Sequence, residues 1–426
     1  MIEVSELPCG LRLATEAMDE ARSVAVGFWV GTGSRDEEAA LAGACHFLEH
    51  MLFKGTPRRS ARQVAEAIDA VGGDMNAFTA KEHTAFYVRV LAGDLEVGLD
   101  VLCDVVWSPA LRPEDLEAER RVILEELAMR ADEPAELVHD LFNAAHFAGH
   151  PLGRDPAGTA QSVSRLSRQE LSGFFSHHYN PANMVVAAAG ALSHDSLAQA
   201  LEARFAGPGH RAVPSRVPPA PPEARSAVLT RPTEQAHLVL GLRGPGHQDE
   251  DRWAASVLNY VLGGGVSSRL FQEIREKRGL AYSIFSERDG YEDSGTLSVY
   301  VGTSPERAHE VAGLVGRQLE ELAGGVRPSE LELAAGHLGS ELLLSEEDAG
   351  SRMGRAGREL LCHNRVMAAE EVVERIRSVS GRDVERVAAR LLAGPPTLAV
   401  VGPFAPEEWG ASPAEELLEG AGPAMA

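Results

Sequence analysis

Apolar and polar positions divide the chain into two runs of elements in the same order. Val24 to Val30 (VAVGFWV) is rich in β-branched and aromatic residues and stops at Gly31-Thr32-Gly33, which predicts a strand. A helix carrying HFLEHMLF follows. Ser60 and Gln63 form a capping box that opens a second helix, SARQVAEAIDAVGG, stopped by Gly72-Gly73. DMNAFT (74–79) and TAFYVRVL (84–91) read as strands, and DLEVGLDVLCDVV as a helix. Glu119 to Leu127, ERRVILEEL, is predicted helical because it follows Pro113 and contains neither Gly nor Pro. Another helix runs from about Glu133 to Phe147 and ends at Gly149-His150-Pro151. Ser167 and Glu170 cap one more, and MVVAAAG is a buried strand.

From Gly207 the composition changes to GPGHRAVPSRVPPAPPE, which can sustain neither a helix nor a sheet interior. Beyond it the order recurs: strand HLVLGLRG, helix DRWAASVLNYVLG, helix SSRLFQEIREKRG, strands AYSIFSE and GTLSVYVGT, a long helical stretch, then TLAVVG. GDLEVGLDVLCDVV and SPERAHEVAGLVGRQL hold equivalent places about 211 residues apart, which indicates an internal duplication. The expected fold is α+β: two homologous units, each a mixed β-sheet with helices packed on it. Their expected bounds are 1–206 and 226–426, with a Pro-rich linker at 207–225. The tail after Pro403, ending GASPAEELLEGAGPAMA, is expected to be a poorly ordered end.

At 426 residues and 44% hydrophobic content, the chain can fill two cores. A net charge of −23 argues against nucleic acid and anionic membrane surfaces, which would repel it. No apolar run is long enough to span a bilayer and MIEVSELPCG lacks signal-peptide character, so a cytoplasmic protein is expected. Cys9, Cys45, Cys103 and Cys362 form no CxxC pair and are given no metal role.

The chemistry is concentrated in HFLEH. His46 and His50, at i and i+4, can present two imidazoles from one helical face to one ion, with Glu49 beside them to take a proton from water on the metal. A tetrahedral zinc still needs a ligand from elsewhere. Glu119 and Glu126 are seven residues apart and share a helical face, so one could ligate and the other orient a His, while Val122 and Ile123 are expected on or near the buried side.

HFLEHMLFKGT followed by ERRVILEE resembles the insulinase and mitochondrial-processing-peptidase family of inverted-motif (HxxEH) zinc peptidases. That resemblance implies one Zn2+ per chain on His46, His50 and a Glu about 76 residues further on, which falls on Glu126 with Glu125 as the adjacent alternative. Glu119 becomes the partner of a ligand. VLNYVLGGG replaces HFLEHMLFKG in the second copy, which leaves that copy without a metal motif. The resemblance also implies that Arg275 and Tyr282, in REKRGLAY, hold the substrate carbonyl near zinc, and that Asn76-Ala77 lies on the strand whose edge pairs with a peptide. It further implies a zinc endopeptidase acting on unfolded peptides inside a closed dimer chamber, as a homodimer or paired with a related subunit. The alternatives are a non-catalytic core or regulatory subunit of a processing-peptidase-like complex, which typically lacks part of the site, and a zinc hydrolase with other substrates. His146 and His150 share the i, i+4 spacing but straddle helix-ending residues and are read as structural turn residues; His177-His178 are read as ordinary polar residues. Gly263-Gly264-Gly265 lacks the GK[ST] ending of a phosphate loop and is read, through the resemblance, as lying near a substrate channel.

Overall fold

A computed structural model describes residues 2–205 and 213–409. The first part of the Pro-rich linker (207–212) and the tail from 410 onwards lie outside the described residues.

The first half of the chain runs β1 (Ile2–Glu6), β2 (Arg12–Ala17), β3 (Ser23–Val30), α1 (Ala44–Leu52), α2 (Ala61–Asp69), β4 (Asp74–Thr79), β5 (Thr84–Leu91), α3 (Leu95–Trp107), α4 (Pro113–Ala131), α5 (Pro134–His146), α6 (Ala160–Arg165), α7 (Arg168–His178), β6 (Met184–Gly190) and α8 (His194–Arg204). The second runs β7 (Arg225–Thr230), β8 (Ala236–Gly244), α9 (Arg252–Gly263), β9 (Ala281–Gly290), β10 (Gly295–Thr303), α10 (Ala308–Ala323), α11 (Pro328–Ser345), α12 (Ala349–His363), α13 (Ala369–Arg377), α14 (Gly381–Leu392) and β11 (Thr397–Gly402). The α+β duplication is present.

Two mixed sheets result, ordered β1-β2-β6-β3-β5-β4 and β7-β11-β8-β10-β9. In each, one pair is parallel: β2 with β6, and β7 with β11. β1, β2 and β7 are absent from the pattern-based expectation because IEVSE, RLATEA and RSAVLT interleave polar residues with few strong β-formers. Pairing with a buried neighbour makes them strands. SSRLFQEIREKRG also departs from expectation. It winds as a π-helix over Phe271–Glu276, where the Lys277 N–H reaches back to the Gln272 carbonyl at 3.0 Å.

The compact units are not contiguous in sequence. One comprises 1–128, 154–217 and 343–368, and the other 129–153, 218–342 and 369–426. The linear bounds 1–206 and 226–426 therefore each surrender a helix. α12, from the second half of the chain, covers the Ala-rich face of the first sheet: Ala349, Met353, Ala356 and Leu360 pack on Ala14, Ala25, Trp29, Val185 and Ala187. A Cβ on Gly357 would sit 2.4 Å from the Trp29 ring, so only glycine admits this approach. α5, from the first half, covers the second sheet through Val138 and Phe142 on Val239, Tyr300, Ala399 and Val401. Periodicity marks these helices as amphipathic without saying which sheet each will cover.

The other face of the first sheet holds the larger core and positions α1. Val24, Val26, Phe28 and Val30 of β3 pack with Phe47, Leu48, Met51 and Leu52 of α1 and with Leu99, Leu102 and Val106 of α3. Each such side chain contributes about 1.5–3 kcal/mol on burial. That anchors the helix carrying the histidines.

Candidate metal centre

α1 is held at both ends. Its first turn would leave N–H groups without helical partners, and the buried Glu37 carboxylate accepts from the Gly43 and Cys45 N–H groups at 2.9 and 2.8 Å. Gly43 takes φ 93° there. Burial pushes the Glu37 carboxyl up to about 7, against these two hydrogen bonds. At the other end the Arg112 guanidinium donates to the Lys54 carbonyl at 3.2 Å, and Gly55 turns the chain with φ 111°.

Between these ends the apolar face is buried and the His46/His50 face is only partly so. The two rings meet edge to face with centroids 4.7 Å apart. α4 brings the third group: Glu126 Oε2 lies 3.9 Å from His46 Nε2 and 3.6 Å from His50 Nε2. These separations are too long for hydrogen bonds. Ligand atoms of His46, His50 and Glu126 all fall within 4.8 Å of one another, the one group of three His, Cys, Asp or Glu among the described residues that could hold a metal ion. Two donors on a tetrahedral zinc lie about 3.3 Å apart, so the two Glu126–imidazole separations would each close by roughly half an ångström or less. The donor set fits zinc. Glu125 is not among the converging groups.

Glu119, one face-repeat before Glu126, is buried and contacts His50 Nδ1 at 3.1 Å. With Nδ1–H donated to this carboxylate, Nε2 keeps its lone pair toward Glu126. Lys54 Nζ lies 2.7 Å from the other Glu119 oxygen. Val122 departs from expectation: it is 43% exposed, whereas Ile123 is fully buried.

Glu49 is separate from the ligand trio and accepts a hydrogen bond from Thr79 Oγ1 at 2.6 Å. Burial raises its carboxyl above the usual range, opposed by the Thr79 hydroxyl and the nearby His50. Thr79 and Lys54 are partners the sequence reading missed. Thr79 ends DMNAFT, and Lys54 follows His50 by four residues; neither sequence position reveals the partner.

Asn76 and Ala77 sit on β4, the outer strand of the first sheet, whose alternate residues Asp74, Asn76 and Phe78 are exposed. The Asn76 side-chain carbonyl accepts from the Ala77 N–H at 2.8 Å. Arg275 and Tyr282 belong to the second compact unit, the former on the π-helix and the latter on β9. The Arg275 guanidinium lies over the Phe271 and Tyr282 rings at 4.6 and 5.2 Å, and Tyr282 is 80% exposed. His146 is a core residue rather than a turn residue: it stacks on Phe142 and its Nδ1 lies 3.0 Å from Thr397 Oγ1. His178 is buried, 3.1 Å from Thr32 Oγ1.

Residues 12–160 match the model of the insulinase family, peptidase family M16, and residues 165–336 match that of the peptidase M16 inactive domain. The chain belongs to the M16 peptidase family. Proteins named as uncharacterized zinc proteases resemble it along most of their length. That of Streptomyces coelicolor is 44% identical over 407 residues, covering 93% of this chain and 89% of the relative. A Mycobacterium tuberculosis protein is 47% identical over 406 residues, covering 93% and 92%. Among solved structures, a protease from Helicobacter pylori superposes with TM-score 0.89 at 22% identity, covering 95% of this chain and 99% of that one, and shares the two-unit M16 fold. No helix of the described residues is long and apolar enough to cross a membrane.

Proposed function

We propose that this M16 protein is a zinc-dependent endopeptidase in which His46, His50 and Glu126 hold one zinc per chain and Glu49 is the general base. The observation that carries the reading is the convergence of three donors within 4.8 Å, with a separate carboxylate beside them on α1. Zinc bound there supplies Lewis acidity, making a water more acidic and polarising a carbonyl. Glu119 fixes the His50 tautomer through Nδ1. Glu49, with its carboxyl raised by burial and oriented by Thr79, takes the proton of the attacking water and passes it to the leaving amine.

The open edge of β4 around Asn76 and Ala77 suits an extended peptide, which would pair with main-chain groups of that edge once the Asn76 side chain releases the Ala77 N–H. Arg275 and Tyr282 are assigned to the substrate carbonyl, supported by the exposed Tyr282 hydroxyl and the guanidinium stacked on its ring. On the resemblance, two chains pair around an enclosed chamber that admits unfolded peptides. The test is digestion of a peptide library and of a stable globular protein by zinc-loaded protein, with Glu49→Gln as control. Cleavage of peptides alone by the wild type is expected. Zinc-loaded wild type that cleaves no peptide would overturn the peptidase reading, and equal rates on both substrates would overturn the chamber.

A further inference from the structure

The buried Glu119 carboxylate has two partners that do different things. His50 Nδ1 at 3.1 Å meets Oε2, and Lys54 Nζ at 2.7 Å meets Oε1. The Glu119 side chain is only 7% exposed, and a carboxylate so buried is costly without a compensating charge. A neutral imidazole gives it a hydrogen bond but no charge. Lys54 supplies the charge, from the end of the same helix that carries His50, and Arg112 pins its carbonyl at 3.2 Å.

We infer that Lys54 is a positioning residue for the metal site, acting through Glu119: by occupying Oε1 it keeps the carboxylate in place, with Oε2 aimed at His50 Nδ1. The inference rests on the zinc reading above. It sets Lys54 apart from the many surface ion pairs of the chain. Arg62–Glu66, for instance, joins side chains that are 85% and 56% exposed and orients nothing further. In the Lys54 pair one partner is buried and its second oxygen is already committed to a ligand.

Zinc affinity decides the matter, measured by competition with a chromophoric chelator on purified Lys54→Met, Lys54→Arg and Glu119→Gln proteins and on the Lys54→Met/Glu119→Gln double variant. Lys54→Met is expected to weaken zinc binding about 10- to 100-fold, as loss of a partner behind a ligand does. Lys54→Arg, which keeps a cation within reach of Oε1, should recover most of that loss. In the Glu119→Gln background Lys54→Met should cause no further loss, because the residue through which it acts is gone. A purely structural role would lower the apo-protein melting temperature and leave zinc affinity unchanged. Wild-type affinity in Lys54→Met, or an equal loss in both backgrounds, overturns the inference. Should Lys54→Met not fold, Lys54→Gln, which keeps a donor without the charge, carries the same comparison. Wild type that binds no zinc would instead overturn the metal site itself.

Discussion

α1 and α9 are the first long helices after β3 and β8, the central strands of their sheets, yet they offer opposite chemistry. On α1, two imidazoles converge with Glu126 of α4, whose Oε2 lies 3.9 and 3.6 Å from their Nε2 atoms. On α9, Tyr260 stacks on His337 of α11 with ring centroids 4.5 Å apart and 29° between planes. The carboxylates behind these helices diverge as well. Glu119 of α4 meets an imidazole and one lysine, whereas Glu330 of α11 accepts from Arg269 and Arg327. Burial pushes Glu330 up, but those arginines outweigh it and hold the group at about 2. One duplicated frame thus carries a cluster of donors that could hold an ion in one copy, and an aromatic contact in the other. The frame is a scaffold, and a few side chains decide the chemistry.

The largest expected effect would test the first half of this contrast. Glu49→Gln should keep its zinc while peptide cleavage falls by about 10²–10⁴-fold, and Glu126→Gln should lose the metal. Metal analysis beside a peptidase assay reads both; an empty site in Glu49→Gln, or in Glu125→Gln rather than Glu126→Gln, would mean the roles are misassigned. Next comes a test of the proposed pairing of chains, in which Tyr282 of one chain would serve the zinc site of the other. Mixing Glu49→Gln with Tyr282→Phe and re-pairing the subunits should restore activity to roughly a quarter of wild type, since mixed dimers regain one intact site. Activity that stays at the mean of the two parents, with exchange verified by mass, would show that each chain completes its own site.

Smaller effects would sharpen the second half of the contrast. Tyr260→Ala should cost about 3–4 kcal/mol of stability in urea titrations while the zinc content stays at wild-type level, because the ring packs but ligates nothing. A loss of zinc in that variant would break the division between the two helices. His146 gives the smallest effect, confined to acid. Burial, with Arg243 nearby, pulls it down from 6.5 to about 3, so the folded state binds fewer protons than the unfolded one between those values. Stability from this group is therefore complete above about pH 6.5 and declines as pH falls toward 3, by on the order of 3 kcal/mol at pH 4. His146→Gln should move the acid-unfolding midpoint to lower pH, and an unchanged midpoint would exclude His146 as a trigger.

The sequence by itself determined most of the elements, though not β1, β2 or β7, and the candidate metal ligands and base. HFLEH fixes two imidazoles and a carboxylate on one helix because helical periodicity is local, and DMNAFT and TAFYVRVL announce β4 and β5 through their β-forming residues. The capping box at Ser60 and Gln63 forms as its spacing indicates. Choices that depend on distant neighbours were left to the tertiary structure. Turning Glu126 rather than Glu125 toward the imidazoles, and Val122 outward, depends on how α4 rolls against α1, and one residue of helix is 100° of rotation. The partners Thr79 and Lys54 emerge only when β4 and α4 reach α1. The exchange of α5 and α12 is the largest such decision. Both helices are apolar on one side, but only the fit of Gly357 to Trp29, and of Phe142 to Gly241, selects the sheet on which each lies. Close packing is read by shape, and shape exists only once the chain has folded.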